Sequence, residues 1–301
     1  MLEILFMKGF TIALATCEKE PELHSDDQLT LPAFKAAGIE AVPVIWSSQT
    51  DWQHFDAVIV RSTWDYWLHY SEFLAWIDRL ERDGVALWNS PAALRWNTNK
   101  IYLRELESRG VPTIPTEWMS PQNRRPVAEI LAKRNWNEAV LKPALSAGAY
   151  RTHRVSRNSA HSAEPLLDEI LTDATAMIQP LVPEILSQGE LSFLFHGGRF
   201  SHAVIKRGVP GEFRIQRTFG GVTTPQAVSK EWIDQAGRVL DRAGYDFLYA
   251  RVDMVESAGR LLLMELEVTE PSLFFEHDAR APARFAEAVL HRLKSRLEVG
   301  K

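Results

Sequence analysis

Short, continuous apolar runs alternate with amphipathic stretches over the first ninety residues. Residues 10–16, 39–46, 57–61 and 85–88 read as strands, and residues 26–38 and 71–83 as helices stopped by Gly38 and Gly84. This alternation predicts a parallel α/β unit over residues 1–95. From 96 to 182 the pattern becomes α+β, with helices at 99–109, 127–135 and 163–171 and strands at 139–143, 152–155 and 176–179. Pro180 and Pro183 mark a stiff crossing into a third unit, 183–301. That unit reads as a hairpin (191–195 with 201–206), a loop over 208–225, a helix over 230–243, a second hairpin and a terminal helix near 280–297.

The second hairpin, YARVDMVESAGRLLLMELEVTEPS, carries the most information. A three-residue loop at Ser257-Ala258-Gly259 would set Val255 opposite Leu261, Asp253 opposite Leu263 and Arg251 opposite Glu265. Asp253, Glu265 and Glu267 would then share one face. Val252, Met254, Leu262, Met264, Leu266 and Val268 would form the apolar face. Crowded carboxylates repel one another and resist desolvation, a conflict that a hard divalent cation such as Mg²⁺ or Mn²⁺ resolves. The plainer reading is an exposed face whose acids point into water.

Composition narrows the classes. The 301 residues are 46% hydrophobic and 24% charged with a net charge of −5, ordinary for a globular enzyme and without the basic field that nucleic acids or anionic membranes require. The single cysteine, Cys17, excludes an intrachain disulfide, fits a reducing cytoplasm and reads as a packed small residue. The start, MLEILFMKGF, lacks signal-peptide features, and Met7 is an alternative start. No apolar run is long enough to span a bilayer. Oligomeric state is left open, with a homodimer among the expectations.

No Walker or dinucleotide glycine motif is present. A phosphate would instead meet Lys142 and the small-residue loop Pro143 to Ala149, where backbone N–H groups can approach an anion. In a doubly wound unit ligands sit beyond the strand ends, which puts Arg61-Ser62-Thr63 at a substrate rim. There Arg61 would either bind a carboxylate or pair with Asp65. His24, His54 and His202 read as surface or satisfied core groups.

Taken in order, Lys100, Lys142, Gln179-Pro180, Gly189-Glu190, Asp253 and Glu265-Leu266-Glu267 resemble the ATP-grasp ligases over residues 99–272. The segment ELEVTEPS and the loop GVPGEFRIQRTFGG are similar to the glutathione synthetase pattern. ATCEKEPELHSDD with RSTWDY looks closest to the D-cycloserine-forming cyclo-ligases, which act on O-ureido-D-serine. The resemblance implies an ATP-grasp fold behind an N-terminal α/β substrate domain, with ATP and Mg²⁺ as cofactors. Lys100, Lys142, Ser146 and Gly148 would contact phosphates. Gln179 and the backbone of Leu181 and Val182 would meet adenine, and Glu190 the ribose. Lys206, Arg214 and Arg251 would stabilise the transferred phosphoryl charge. Gln216, Gly220, Gly221 and Ser272 would line the substrate side. Asp253, Glu265 and Glu267 would hold metal. The commonest pattern has asparagine at position 267, so Glu267 either strengthens cation binding or meets a structural partner.

The implied activity is ATP-dependent joining of a carboxylate to nitrogen in a small amino-acid-like substrate, through an acyl phosphate, with the cyclising form as one version. The alternatives are an intermolecular peptide-type ligase resembling glutathione synthetase and a nucleotide-binding regulatory protein without turnover.

Overall fold

A computed structural model describes residues 9–209 and 211–299. Both candidate starts, Met1 and Met7, lie outside the described residues.

The first unit is a parallel sheet in the order β2-β1-β3-β4, from β1 (Phe10–Thr16), β2 (Ile39–Ile45), β3 (Ala57–Val60) and β4 (Leu87–Trp88). All four residues of β3 are buried, as expected of a strand covered on both faces. Helix Tyr70–Arg82 buries Phe73, Trp76, Ile77 and Leu80, one face at helical spacing. The expected helix over 26–38 is two helices, Ser25–Gln28 and Thr30–Ala36. Pro32 explains the break, because a residue without an N–H is tolerated only in a helix's first turn. Helix Pro91–Asn97 was not foreseen, although Ser90 caps it and Pro91 opens it. The next helix is correspondingly shorter, Tyr102–Ser108.

The second unit is an antiparallel sheet, β5-β8-β6-β7, from β5 (Glu117–Met119), β6 (Glu138–Pro143), β7 (His153–Ser156) and β8 (Ala176–Pro180). The third is β11-β10-β9-β12-β13, from β9 (Glu190–His196), β10 (Arg199–Arg207), β11 (Val222–Pro225), β12 (Tyr249–Ser257) and β13 (Arg260–Glu267). Strand β11 lies inside the stretch expected to be loop. Helix Ala281–Val299 packs Phe285, Val289 and Leu293 into one core with Ile12, Leu14 and Ile59 of the first sheet and Leu194 and Tyr249 of the third. The first and third units therefore share buried surface.

The register of β12 with β13 corrects the sequence expectation. Ala258 and Gly259 both have positive φ (51° and 77°), so the loop is a two-residue turn and Ser257 pairs with Arg260. Met254 then faces Leu263. A bulge at Met264 then sets Asp253 opposite Glu265 and Arg251 opposite Glu267, two residues from the expected pairing. The acids do share a face, but through the bulge and not through the loop. The apolar side changes as well. Leu261 and Leu263 join the core with Val252, Met254, Leu266 and Val268, whereas Leu262 and Met264 turn toward Val255, Ile114 and Val182.

Candidate active site

Strand register alone brings one charged group together. Arg251 donates from Nε and Nη2 to Asp253 (3.0 and 2.9 Å to Oδ2), and Nη2 also pairs with Glu267. Lys206, opposite Glu190 in the β9–β10 ladder, pairs with it and stands 3.3 Å from Asp253. Ser192 donates to Asp253 at 2.5 Å. Burial pushes the Asp253 carboxyl upward, but Arg251, Lys206 and the Ser192 bond outweigh it and hold it below the ordinary value. Burial opposes protonation of Lys206, yet Asp253 and Glu190 raise it. Lys100 reaches across from the helical connection, donating to the Ser146 carbonyl at 2.7 Å and lying 3.1 Å from Glu265.

The outer acids are less well matched. Burial pushes Glu267 up to about 7, with Arg251 opposing and Glu265 and Asp253 adding. Glu270 rises to about 8 through burial, then through Glu267, with Lys100 opposing. Such carboxylates favour any arriving cation. Burial also lowers the Lys142 ammonium, with Glu265 opposing and Lys100 adding. Among the described residues no three metal-ligating side chains close around a point. The oxygen donors nevertheless suit a hard cation. Glu265 and Glu267 keep 27% and 28% of their side chains exposed, whereas Asp253 keeps 3% and is wrapped by its partners.

A cycloserine biosynthesis protein, DcsG of Streptomyces lavendulae, is 30% identical over 300 residues, spanning 94% of this chain and 99% of that one. A glutathione synthetase of Bordetella pertussis is 26% identical over 74% of this chain and 67% of its own length. The crystal structure of D-cycloserine synthetase DcsG superposes with a TM-score of 0.85 at 27% identity, covering 94% of this chain and 99% of that one. The chain belongs to the ATP-grasp ligases. Residues 12–89 match the family model of the D-cycloserine synthetase DcsG N-terminal domain. The fold extends to the D-alanine–D-alanine ligase of Bacillus anthracis complexed with ATP, at a TM-score of 0.69 and 16% identity over 97% of this chain and all of that one. The protein is thus an ATP-dependent carbon–nitrogen ligase acting on a small molecule. No described helix is long and apolar enough to cross a membrane.

Other expected residues of the ligase fall into three groups. Ser146 is buried, and Gly148 has φ +60° with open space around it, a loop free to approach a ligand. Val182 sits in the apolar group with Ile114 and Val255, near Leu262 and Met264. Gln179 is buried and donates to Thr116 at 2.9 Å, while Leu181 N–H is taken by the Glu138 carbonyl. Glu190 is held by Lys206 rather than free.

Arg214 is bound within its own loop, to Glu212 at 2.8 Å and over the Phe219 ring at 3.7 Å. Gln216 accepts the N–H groups of Phe219 and Gly221 through its carbonyl, and Gly220 has φ +84°. A Cβ at Gly221 would lie 2.0 Å from the Ile215 carbonyl oxygen, so this loop conformation accepts only glycine.

At the rim Arg61 is buried and pairs with Asp27 at 2.8 Å, not with Asp65, and donates to the Pro271 carbonyl at 2.7 Å. Asp65 instead accepts from Trp46. Ser62 donates to Asp27, and the Thr63 hydroxyl is buried without a partner among the described residues. Arg61 is therefore a tie between the first and third units. Ser272 contributes its carbonyl to Arg251. His24 caps helix Ser25–Gln28 and packs against Trp64 at the rim, a role beyond the plain surface reading. Sequence reasoning missed Glu270, Ser192 and Asn97. Glu270 stood inside the quoted ELEVTEPS, but strand alternation ends at Glu267 and gave no orientation for it.

Proposed function

We propose that this ligase is a cyclo-ligase, phosphorylating the carboxylate of an O-substituted serine such as O-ureido-D-serine and closing it onto nitrogen of the same molecule. A carboxylate oxygen takes the γ-phosphoryl group of ATP and ADP departs. The side-chain nitrogen then attacks the acyl carbon, loses a proton and expels phosphate. The observation that carries this reading is the 30% identity along essentially the full length of both chains, together with the first domain's match, since ligands of doubly wound sheets sit beyond their strand ends.

Phosphoryl transfer asks for positioning and for neutralisation of spread negative charge. Lys100, Lys142 and the loop from Ser146 to Gly148 are assigned to the phosphates. The apolar group of Val182, Ile114, Val255, Leu262 and Met264 is assigned to adenine, with Gln179 at its edge. Lys206, Arg251 and Arg214 are assigned to the reacting oxygens, Arg214 exchanging Glu212 for phosphate as its loop closes. Mg²⁺, where bound, would add Lewis-acid neutralisation of the triphosphate. Glu265 and Glu267 offer it free oxygens, and Asp253 joins them only by sharing Arg251. Gln216, Gly220, Gly221, Ser62, Thr63 and Ser272 complete the substrate side.

The test is to add candidate substrates singly with ATP and follow ADP. Release with one O-substituted serine and no added amine is expected. A requirement for an acid plus a separate amine would replace this reading with an intermolecular ligase.

A further inference from the structure

The segment that leaves β13 is held unusually firmly. Tyr249 donates to the Thr269 carbonyl at 2.9 Å, Trp64 to that of Glu270 at 3.0 Å, Arg61 to that of Pro271 at 2.7 Å and Arg251 to that of Ser272 at 3.2 Å. Two of these donors, Arg61 and Trp64, come from the first unit's rim, and two from β12. Four consecutive carbonyls are thus fixed by side chains from both the first and the third unit. The Glu270 carboxylate, in contrast, has no hydrogen-bond or ion-pair partner among the described residues, although it lies in the field of Glu267, Glu265, Lys100 and Arg251. A rigid backbone that holds a carboxyl group beside other acids, and gives it nothing to bind, is a preorganised receptor for a cation.

We infer that Glu270 receives the ammonium group of the substrate and thereby selects an amino acid over an acid lacking the amine. This rests on the amino-acid ligase reading above. The position favours an ammonium over a metal ion. Glu265 and Glu267 face the nucleotide side from β13, whereas Glu270 follows the strand end, at the point where Trp64 and Arg61 bring in the substrate rim. In an α-amino acid the ammonium is separated from the carboxylate carbon only by Cα. Docking it on Glu270 would aim the carboxylate toward Lys100, Arg251 and the phosphates, placing the reacting oxygen for phosphorylation. Arg61 is not the alternative anchor, since Asp27 and Pro271 hold its Nε and Nη2 and its remaining Nη1 is buried.

The experiment compares wild type, Glu270→Gln and Glu270→Asp in ADP release with O-ureido-D-serine and in inhibition by its deamino analogue, with Mg·ATP binding as the control for folding. A charge-assisted hydrogen bond of about 1.5–3 kcal/mol predicts a loss of about 10- to 100-fold in kcat/KM for Glu270→Gln. It also predicts unchanged inhibition by the deamino analogue and partial recovery in Glu270→Asp. Wild type itself should bind the deamino analogue at least about tenfold more weakly than the substrate, a measurement that needs no variant.

Equal loss toward both compounds in Glu270→Gln, or no discrimination by wild type, overturns the assignment. So does a changed Mg²⁺ requirement with discrimination intact, which would make Glu270 a metal ligand. If wild type releases ADP with no O-substituted serine or other amino acid, the ligase reading falls and this assignment falls with it. Release with unaltered discrimination in Glu270→Gln sinks the assignment alone.

Discussion

Replacing Asn89 with alanine should separate the first and third units energetically while leaving each sheet intact. Asn89 is fully buried beyond β4. Its Nδ2 donates to the carbonyls of Tyr249 at 2.9 Å and Val268 at 2.7 Å, and its Oδ1 accepts the Leu248 N–H at 2.6 Å. Alanine leaves one buried N–H and two carbonyls short of a partner. At about 1–3 kcal/mol for a stranded buried group, with the carbonyls counted at the low end for their second lone pair, the loss is about 3–5 kcal/mol. That is a large part of a typical stability of about 5–15 kcal/mol. Denaturant unfolding followed by tryptophan fluorescence should show a lower midpoint with little change in slope. Asn89→Asp should fare no better, since it restores the acceptor but turns a carboxylate toward two carbonyls. A loss below about 1 kcal/mol would refute the claim that this side chain ties β4 to β12 and β13.

Glu270→Gln should stabilise the fold increasingly with pH. The folded carboxyl sits near 8, against an ordinary value of 4.5, so the folded state prefers it protonated. Stability is therefore lost by wild type, and not by the variant, as pH rises from about 5 to 8. Melting at pH 5 and pH 9 should show the variant's advantage only at pH 9. Asp27→Ala strands the buried Arg61 guanidinium and should cost about 3–5 kcal/mol in chemical unfolding, far more than loss of an exposed ion pair. Gly221→Ala should disturb the loop bearing Arg214 and lower kcat at least about tenfold with Mg·ATP binding retained, because a Cβ there meets the Ile215 carbonyl. Normal turnover in that variant would detach the loop from catalysis.

Alternating apolar runs gave the three sheets because burial on one or both faces writes itself into local sequence. The register of the acidic hairpin was legible only in part. The convergence of Asp253, Glu265 and Glu267 was foreseen, yet it depends on a turn with two left-handed residues, one of them Ala258, and on a bulge at Met264. Neither has a local signature, since alanine seldom adopts positive φ and a bulge is set by what packs on each side. Arg61 does follow β3, but its partner Asp27 lies 34 residues away on a helix whose facing the sequence does not fix. Glu270 was hidden for a related reason. Its role comes from carbonyls pinned by Trp64 and Arg61, contacts across more than 200 residues.

Titration of the ligase with ATP in the presence and absence of Mg²⁺, for wild type, Asp253→Asn and Glu265→Gln, tests most directly whether the acidic face of β12 and β13 carries the metal-bound nucleotide. Wild type should bind ATP far more tightly with Mg²⁺, and both variants should lose most of that gain, Glu265→Gln while melting within a few degrees of wild type. A Mg²⁺-dependent gain that survives in both variants would contradict the account.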